Sequence, residues 1–247
     1  MKILFAPSEA KFSGGKYQKI DKKSFLFEDL FEKRLEFLKE YNNFLKVASK
    51  EELAKLFGVK KDELIKRYKI DIFDAPIKMV IDRYDGVAYD YLDMASLDDK
   101  AKSYIYENLI IFSNLYGPLR AKDVGIVEYK LKQGESVGDI KPEQFYKKHF
   151  SEALDRFLED EDILDLRAGF YNKFYKPKKS YTTLKFIKDN KVVSHWAKAY
   201  RGKVLRVLAK NSISSLEEFM ELEIEDLKIK DILIKGVHKE IVYEISK

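Results

Sequence analysis

The chain has 247 residues, 45% of them hydrophobic and 36% charged, with 47 Lys and Arg against 42 Asp and Glu. That length and apolar share exclude wholesale disorder, and the absence of Cys excludes disulfides, thiolate catalysis, iron–sulfur clusters and Cys-built zinc sites. Three scattered histidines (His149, His195, His238) argue against a His-rich metal site, and no apolar run reaches the ~20 residues of a membrane span, so the expectation is a cytoplasmic protein with no metal and no cofactor.

In chain order, KILF (2–5) reads as a short buried strand, and the start MKILFAPSEAK lacks the pattern of a signal peptide. A loop over 6–15 follows, with Pro7, Ser8 and the pair Gly14-Gly15. Apolar residues at helical spacing predict a helix over 24–48, with Ser24 as N-cap. Ser49 and Glu52 form a capping-box signature for a helix over 50–57, which Gly58 ends; 61–68 reads as a third, short helix. Pro76 marks a break before IKMVIDRY. A helix over 98–107, a buried strand over 108–117 and a turn at Gly117-Pro118 come next. Residues 142–158 predict a helix with Pro142 in its first turn, and 162–166 a strand. TLKFIK and KVVSH alternate around Asp189-Asn190 and predict a hairpin. Helices over 196–210 and 214–222 precede two strands that turn near Gly236. Strands and helices mix without a regular βαβ period, repeat or linker. The reading is therefore one α/β domain of α+β type over residues 1–247, built on a mixed sheet.

Charge is unevenly placed. Residues 165–210 hold thirteen basic and two acidic residues, a net of +11, which leaves −6 on the other 201. Such a segment suits an anion-binding surface. LAKLFGVKKDELIKRY (53–68) has the hydrophobe-x-Gly-hydrophobe-basic pattern of a helix-hairpin-helix, placed at about 50–68. There Gly58 and Val59 would turn the backbone, and Lys60 and Lys61 would meet a DNA phosphate. The same residues also fit an ordinary αα-turn with Gly58 as C-cap and the lysines in solvent.

In AGFYNKFYKPKKSY (168–181) Lys173 and its neighbours offer phosphate contacts, while the interleaved aromatics fit either base stacking or a core. In WAKAYRGKVLR (196–206) Lys198 and Arg201 share a helix face, and Gly202 suggests close approach of another backbone or a ligand. Gly117-Pro118 would place Tyr116 and Arg120 in a strand-end loop; the plainer reading pairs Arg120 with Asp123. Ser8 and Lys11 follow a strand, but no GxxxxGK[ST] phosphate loop is present, and a Ser/Lys catalytic pair is a further option. Asp82, Asp85, Asp90 and Asp93 match no metal-loop spacing, and His195, beside Trp196, reads as a packing residue.

Taken together, PSEAK, RYDGVAYDYLD, FSNLYGPLRAKD followed by EYKLKQG, DLRAGFYNKFYKPKK and WAKAYRG resemble the YaaA peroxide-stress protein family in order and spacing, from Met1 to about Lys210. The resemblance implies a single compact α/β domain with a positively charged cleft and a helix-hairpin-helix. It also implies DNA binding and protection from hydrogen peroxide, associated with lower free intracellular iron. By that resemblance the hairpin falls on Leu56–Leu64, and the cleft lysine of the first motif on Lys11. The later motifs fall on Tyr116, Gly117 and Arg120, on Tyr129 and Lys130, and on Ala197, Lys198, Arg201 and Gly202. Glu9 is inserted in the first motif, Lys130 stands where the family has Arg, and AKAYRG lacks one lysine of the pattern.

The expectation is a protein that holds duplex or branched DNA in a basic cleft by phosphate contacts, without base readout, with Ser8, Tyr116 and Tyr129 in the cleft. The alternative is an enzyme on a small phosphorylated metabolite, nucleotide or damaged base in the same cleft. An enclosed pocket with a perturbed Lys or Tyr would favour the alternative; an open groove would favour DNA.

Overall fold

Strand β1 (Lys2–Phe5) lies at the middle of the main sheet, with Ile3, Leu4 and Phe5 fully buried. An apolar run without alternation marks a strand covered on both faces. The computed structural model describes residues 1–246; the side chains of Ser194 and His195, and with them the packing read for His195, lie outside the described residues.

The chain continues through β2 (Ala10–Lys11), α1 (Phe31–Val47), α2 (Lys50–Phe57), α3 (Asp62–Tyr68), β3 (Ile77–Met79), α4 (Val80–Arg83), β4 (Tyr84–Asp85), α5 (Val87–Leu92) and α6 (Asp99–Asn108). Then follow β5 (Leu109–Ser113), β6 (Gly117–Arg120), β7 (Val124–Val127), α7 (Pro142–Phe157), β8 (Ile163–Asp165), β9 (Tyr181–Lys188) and β10 (Lys191–Val192). The last elements are α8 (Ser194–Asn211), α9 (Leu216–Glu221), β11 (Leu227–Lys235) and β12 (His238–Ile245).

The main sheet runs β11-β12-β9-β8-β1-β5-β6, with β10 also on β9. Its five central strands, from β12 to β5, are parallel, and β11 and β6 pair antiparallel at the edges. The expected mixed sheet in one compact α/β domain is present, with a parallel centre. Two small pairs, β2·β4 and β3·β7, stand off it.

Local chemistry explains most boundaries. Ser49 Oγ accepts from Glu52 N–H at 3.2 Å while Glu52 accepts from Ser49 N–H at 2.7 Å, the reciprocal capping box. Gly58 ends α2 at φ 64, and Asp189 and Asn190 (φ 50 and 61) make the two-residue turn between β9 and β10.

Two expectations change. The helix predicted from 24 starts only at Phe31, because Phe27 sits at φ 62 and interrupts the chain. Ser24 is no cap; its hydroxyl donates to the carbonyls of Asp21 and Val124. Gly117-Pro118 is no turn either. Both residues belong to β6, where Pro118, which lacks an N–H, is tolerated because the strand is an edge. A Cβ at Gly117 would lie 2.2 Å from the Tyr146 ring, so only glycine lets β6 meet α7 this closely.

Two arginines, Arg34 and Arg83, are fully buried and work as carbonyl clamps. Arg34 donates to the carbonyls of Leu26 (3.0 Å), Pro118 (3.2 Å) and Tyr116. Arg83 donates to those of Pro76 (3.0 Å), Ile126 (3.2 Å) and Phe12. Each ties loops to the core.

Candidate functional site

Strands β1, β5 and β8 end on one side of the sheet, and the chain leaving each lines a cavity of about 380 Å³. Phe5 to Lys11 leave β1, Asn114 leaves β5, and Leu166 and Ala168 leave β8. The carboxyl ends of parallel strands are the usual place for a ligand in such sheets. The remaining wall comes from Gly86–Tyr89, from Tyr129, Leu131 and Gln133, and from Tyr171, Lys198 and Arg201.

Each wall has a local cause. Lys11 pairs with Tyr84 across β2 and β4, and Phe12 is bound through both backbone groups by Arg83. This ties the lysine to the core on its C-terminal side. On its N-terminal side the loop turns back over Gly86 (φ 127), where a Cβ would sit 2.7 Å from Ser8 Oγ. Residues 129–133 run past the cavity so that Tyr129, Leu131 and Gln133 line it; between them Lys132 lies against Gly58 and its N–H donates to Leu56 O at 2.8 Å. In α8 a Cβ at Gly202 would lie 2.1 Å from Ala88 O, so the helix crosses α5 in backbone contact. That crossing sets Lys198 and Arg201 on the wall with Val87 and Ala88.

Charge at the site is unbalanced. Lys11 Nζ donates to Ser8 O (3.2 Å) and Glu9 O (3.4 Å) and lies 3.9 Å from the centre of the Tyr129 ring. Burial first, then Lys130, pushes its ammonium down to about 7, with Glu9 opposing. Arg201 is lowered by burial, with only Asp165 opposing it. Asp165 itself is held in two places by Arg167, at 2.7 and 2.8 Å. Among the described residues, Lys198 and Arg201 make no hydrogen bond or ion pair.

The tyrosines of the wall are proton-holding. Tyr129 OH sits 2.7 Å from Ser113 Oγ and 3.3 Å from Tyr84 OH, Tyr171 donates to Asn114 Oδ1 at 3.1 Å, and Tyr89 donates to Ala6 O at 2.9 Å. Burial raises all four phenols, including Tyr84. The cavity is thus a cation-rich recess with neutral hydrogen-bonding walls, which suits an anionic ligand carrying a flat or sugar-like body.

Of the residues expected at the site, the cavity brings together Ser8, Lys11, Tyr129, Lys198 and Arg201. Tyr116 is a correction: it is fully buried in the core, stacked on Phe25, and its hydroxyl accepts from Val127 N–H at 3.3 Å. Arg120 lies on β6 outside the cavity, its Nε donating to Asp123 Oδ1 at 2.7 Å, which is the plainer of its two readings. Lys130 is 3.4 Å from Glu9 at the rim, and Lys173 is exposed beside the Phe170 ring at 5.0 Å. Gly58, Val59, Lys60 and Lys61 form the α2–α3 turn, with both lysines exposed and Lys61 4.0 Å from Glu63.

The +11 segment is also less free than its count. Arg167 is committed to Asp165, Lys178 to Asp155, Lys179 to carbonyls after α7, Lys203 to Glu225 and Asp226, and Arg206 to carbonyls at Leu92 and Asp93. Tyr171, Phe174, Tyr175 and Tyr181 are core. Tyr171 is among the interleaved aromatics weighed from the sequence, while Asn114, Gln133 and the clamp Arg83 were not read from it as site residues. Their only signal was membership in the motif blocks. Among the described residues no cluster of three or more His, Asp or Glu could hold a metal, and no helix is long and apolar enough to cross a membrane.

Comparison with known proteins gives a consistent result. The family model for the peroxide stress protein YaaA matches residues 1–233. An uncharacterized protein of Campylobacter jejuni is 50% identical over 245 residues, covering 99% of each chain. A UPF0246 protein of Fusobacterium nucleatum is 31% identical over 94% of this chain and 95% of its own, and one of Lactobacillus helveticus 28% identical over 91% of each.

Proposed function

The chain belongs to the peroxide stress protein YaaA family, and from that premise we propose that it serves peroxide defence in the cytoplasm by binding a phosphate-bearing ligand of nucleotide size in the strand-end cavity. One observation carries this reading: Lys198 and Arg201, free of partners among the described residues, converge with Lys11 on one recess. Arginine presents a planar fork that matches phosphate, and the unmet positive charge is the ligand's complement. The nucleotide-sized recess, about 380 Å³, and the perturbed lysine in its wall are the features that favour a small ligand.

A second reading, DNA held by phosphate contacts without base readout, keeps one specific support. The α2–α3 turn has the glycine, hydrophobe and exposed lysines of a helix-hairpin-helix, and Lys132 ties it to the segment that lines the cavity. The two readings join if one nucleotide of a duplex or branched strand enters the recess.

Titration with adenosine monophosphate, and separately with a DNA oligonucleotide over a salt series, tests both. Arg201→Ala is expected to weaken the mononucleotide at least tenfold; unchanged affinity overturns the cavity reading. Lys60→Ala with Lys61→Ala is expected to weaken the oligonucleotide and flatten its salt slope while leaving the mononucleotide alone. A salt-independent oligonucleotide affinity, or one untouched by that double change, overturns the DNA reading.

A further inference from the structure

Resting on this reading of the cavity as a phosphate site, we infer that Lys11 is a carbonyl-reactive amine, whose Nζ forms an imine with an aldehyde lying beside a phosphate held by Arg201 and Lys198.

The first support is the hydrogen-bond inventory of the nitrogen. A neutral amine has two N–H bonds and one lone pair, whereas an ammonium has three N–H bonds and no lone pair. Lys11 Nζ meets two carbonyl acceptors, Ser8 O at 3.2 Å and Glu9 O at 3.4 Å. Among the described residues no carboxylate stands within ion-pair distance of it, and the nearby Glu9 carboxylate faces Lys130 instead. The other neighbours of the nitrogen are the Tyr129 ring at 3.9 Å and the Tyr84 ring at 5.4 Å, so losing its proton breaks no ion pair among the described residues and frees the lone pair for an electrophile.

Placement is the second support. Lys11 lines a recess of about 380 Å³ that also holds Ser8, Lys198 and Arg201, room for a sugar phosphate or a nucleotide. Its nitrogen rests on the Tyr129 ring at 3.9 Å, and the backbone on either side is fixed by β4 and Arg83. The amine is therefore held in place while the cations set the phosphate. The low proton affinity agrees: with the ammonium pushed down to about 7, a large share of Lys11 is free amine near neutral pH, against about one in three thousand for a lysine at the ordinary 10.5.

The step balances without a redox partner. The Nζ lone pair attacks the carbonyl carbon, a C–N bond forms, and the C=O π pair moves to oxygen, which takes a proton. That oxygen leaves as water after a second proton, while nitrogen gives up both of its own and closes C=N. One amine and one aldehyde become one imine and one water. Two sources carry this chemistry: a free phosphorylated aldehyde, and the ring-opened sugar of an abasic site in a DNA strand, where phosphates flank the aldehyde.

Trapping the imine with borohydride in the full chain separates them. Pyridoxal 5′-phosphate serves as the free probe and an oligonucleotide with one abasic site as the strand probe. Peptide mapping follows each. The expected result is a reduced adduct on Lys11, lost at least tenfold in Lys11→Met. Arg201→Ala should lower labelling at limiting probe, with recovery at saturating probe. Trapping of the free probe alone, or of the strand alone, supports the inference and names the source; trapping of both supports it for either. Adducts on Lys198 or scattered over surface lysines, or none, overturn it. The mononucleotide titration keeps the two readings apart: Arg201-dependent binding without trapping removes the reactive amine and leaves the phosphate site. Lys11→Met counts only if it still binds adenosine monophosphate. Lys11→Arg, which keeps the charge but cannot form an imine under these conditions, is expected to abolish trapping as well.

Discussion

A buried ammonium crowded by Lys130 and Arg83 holds its proton less tightly than the same group in the unfolded chain, although the Tyr129 ring and two carbonyls favour the charged form. Its folded value is about 7 against 10.5 unfolded. Between those values the unfolded chain binds a proton that the native chain does not, so this group's contribution to stability rises with pH through that window. Below about pH 7 its penalty is fully present. Lys11→Met removes it, and is expected to be more stable than the native protein by about 1 kcal/mol or more near pH 6, a margin that shrinks toward pH 10. Urea unfolding at several pH values measures this; a margin that is constant or grows with pH contradicts it. The lysine was legible in the sequence through its motif. Its environment was not, because Tyr84, Arg83 and Tyr129 lie between 72 and 118 residues further along and meet it only in the fold. Tyr116 misled for the same reason: a tyrosine in a strand-end motif looks exposed, yet its ring completes the core against Phe25.

Helix α8 presents the site's cations because of one crossing. Gly202 allows its backbone to touch Ala88 of α5, and both helices contribute wall residues. Glycine inside a helix ordinarily costs about 1 kcal/mol relative to alanine. Here the sign reverses, since an added Cβ would fall 2.1 Å from a backbone oxygen that cannot rotate away. Gly202→Ala is expected to destabilise by about 2–4 kcal/mol and to weaken mononucleotide binding by moving Arg201 away from the wall. Calorimetry and titration measure both; a stabilised variant would show that the two helices are not in backbone contact. Periodicity located α8 within two residues at its start, and capping chemistry located α2. The α1 start failed because apolar spacing continued through Phe27, whose left-handed backbone no periodicity reveals. β6 was hidden because Gly-Pro is a turn signal everywhere except on an edge strand.

At the scale of the molecule, the last hairpin completes the sheet without touching the cavity. β12 runs parallel to β9 over seven residue pairs and buries Ile241, Tyr243 and Ile245. The most C-terminal cavity residue is Arg201. Removing the residues from Leu227 onward opens β9 as a bare edge, so the shortened chain is expected to aggregate, while its soluble fraction keeps mononucleotide binding. Light scattering and titration of that fraction test the separation; soluble but non-binding protein would contradict it. The mixed sheet was read correctly from composition and pattern. Its strand order was not, since order depends on pairings such as Lys2 with Ile163 that local sequence does not encode.

The central position of β1 also sets an order of events during synthesis. The residues of β1, Lys2–Phe5, have their partners at 109–111 and 163–165. Until β5 has been made an apolar strand therefore waits with both edges open, and one edge stays open until β8 follows. The Met1 ammonium, 2.8 Å from Glu161 in the finished protein, finds its carboxylate only after that helix-to-strand connection has emerged. A nascent chain of this protein is thus exposed to mispairing at β1 until β5 and β8 have emerged, and a holding chaperone acting on that strand would protect it where it is most vulnerable.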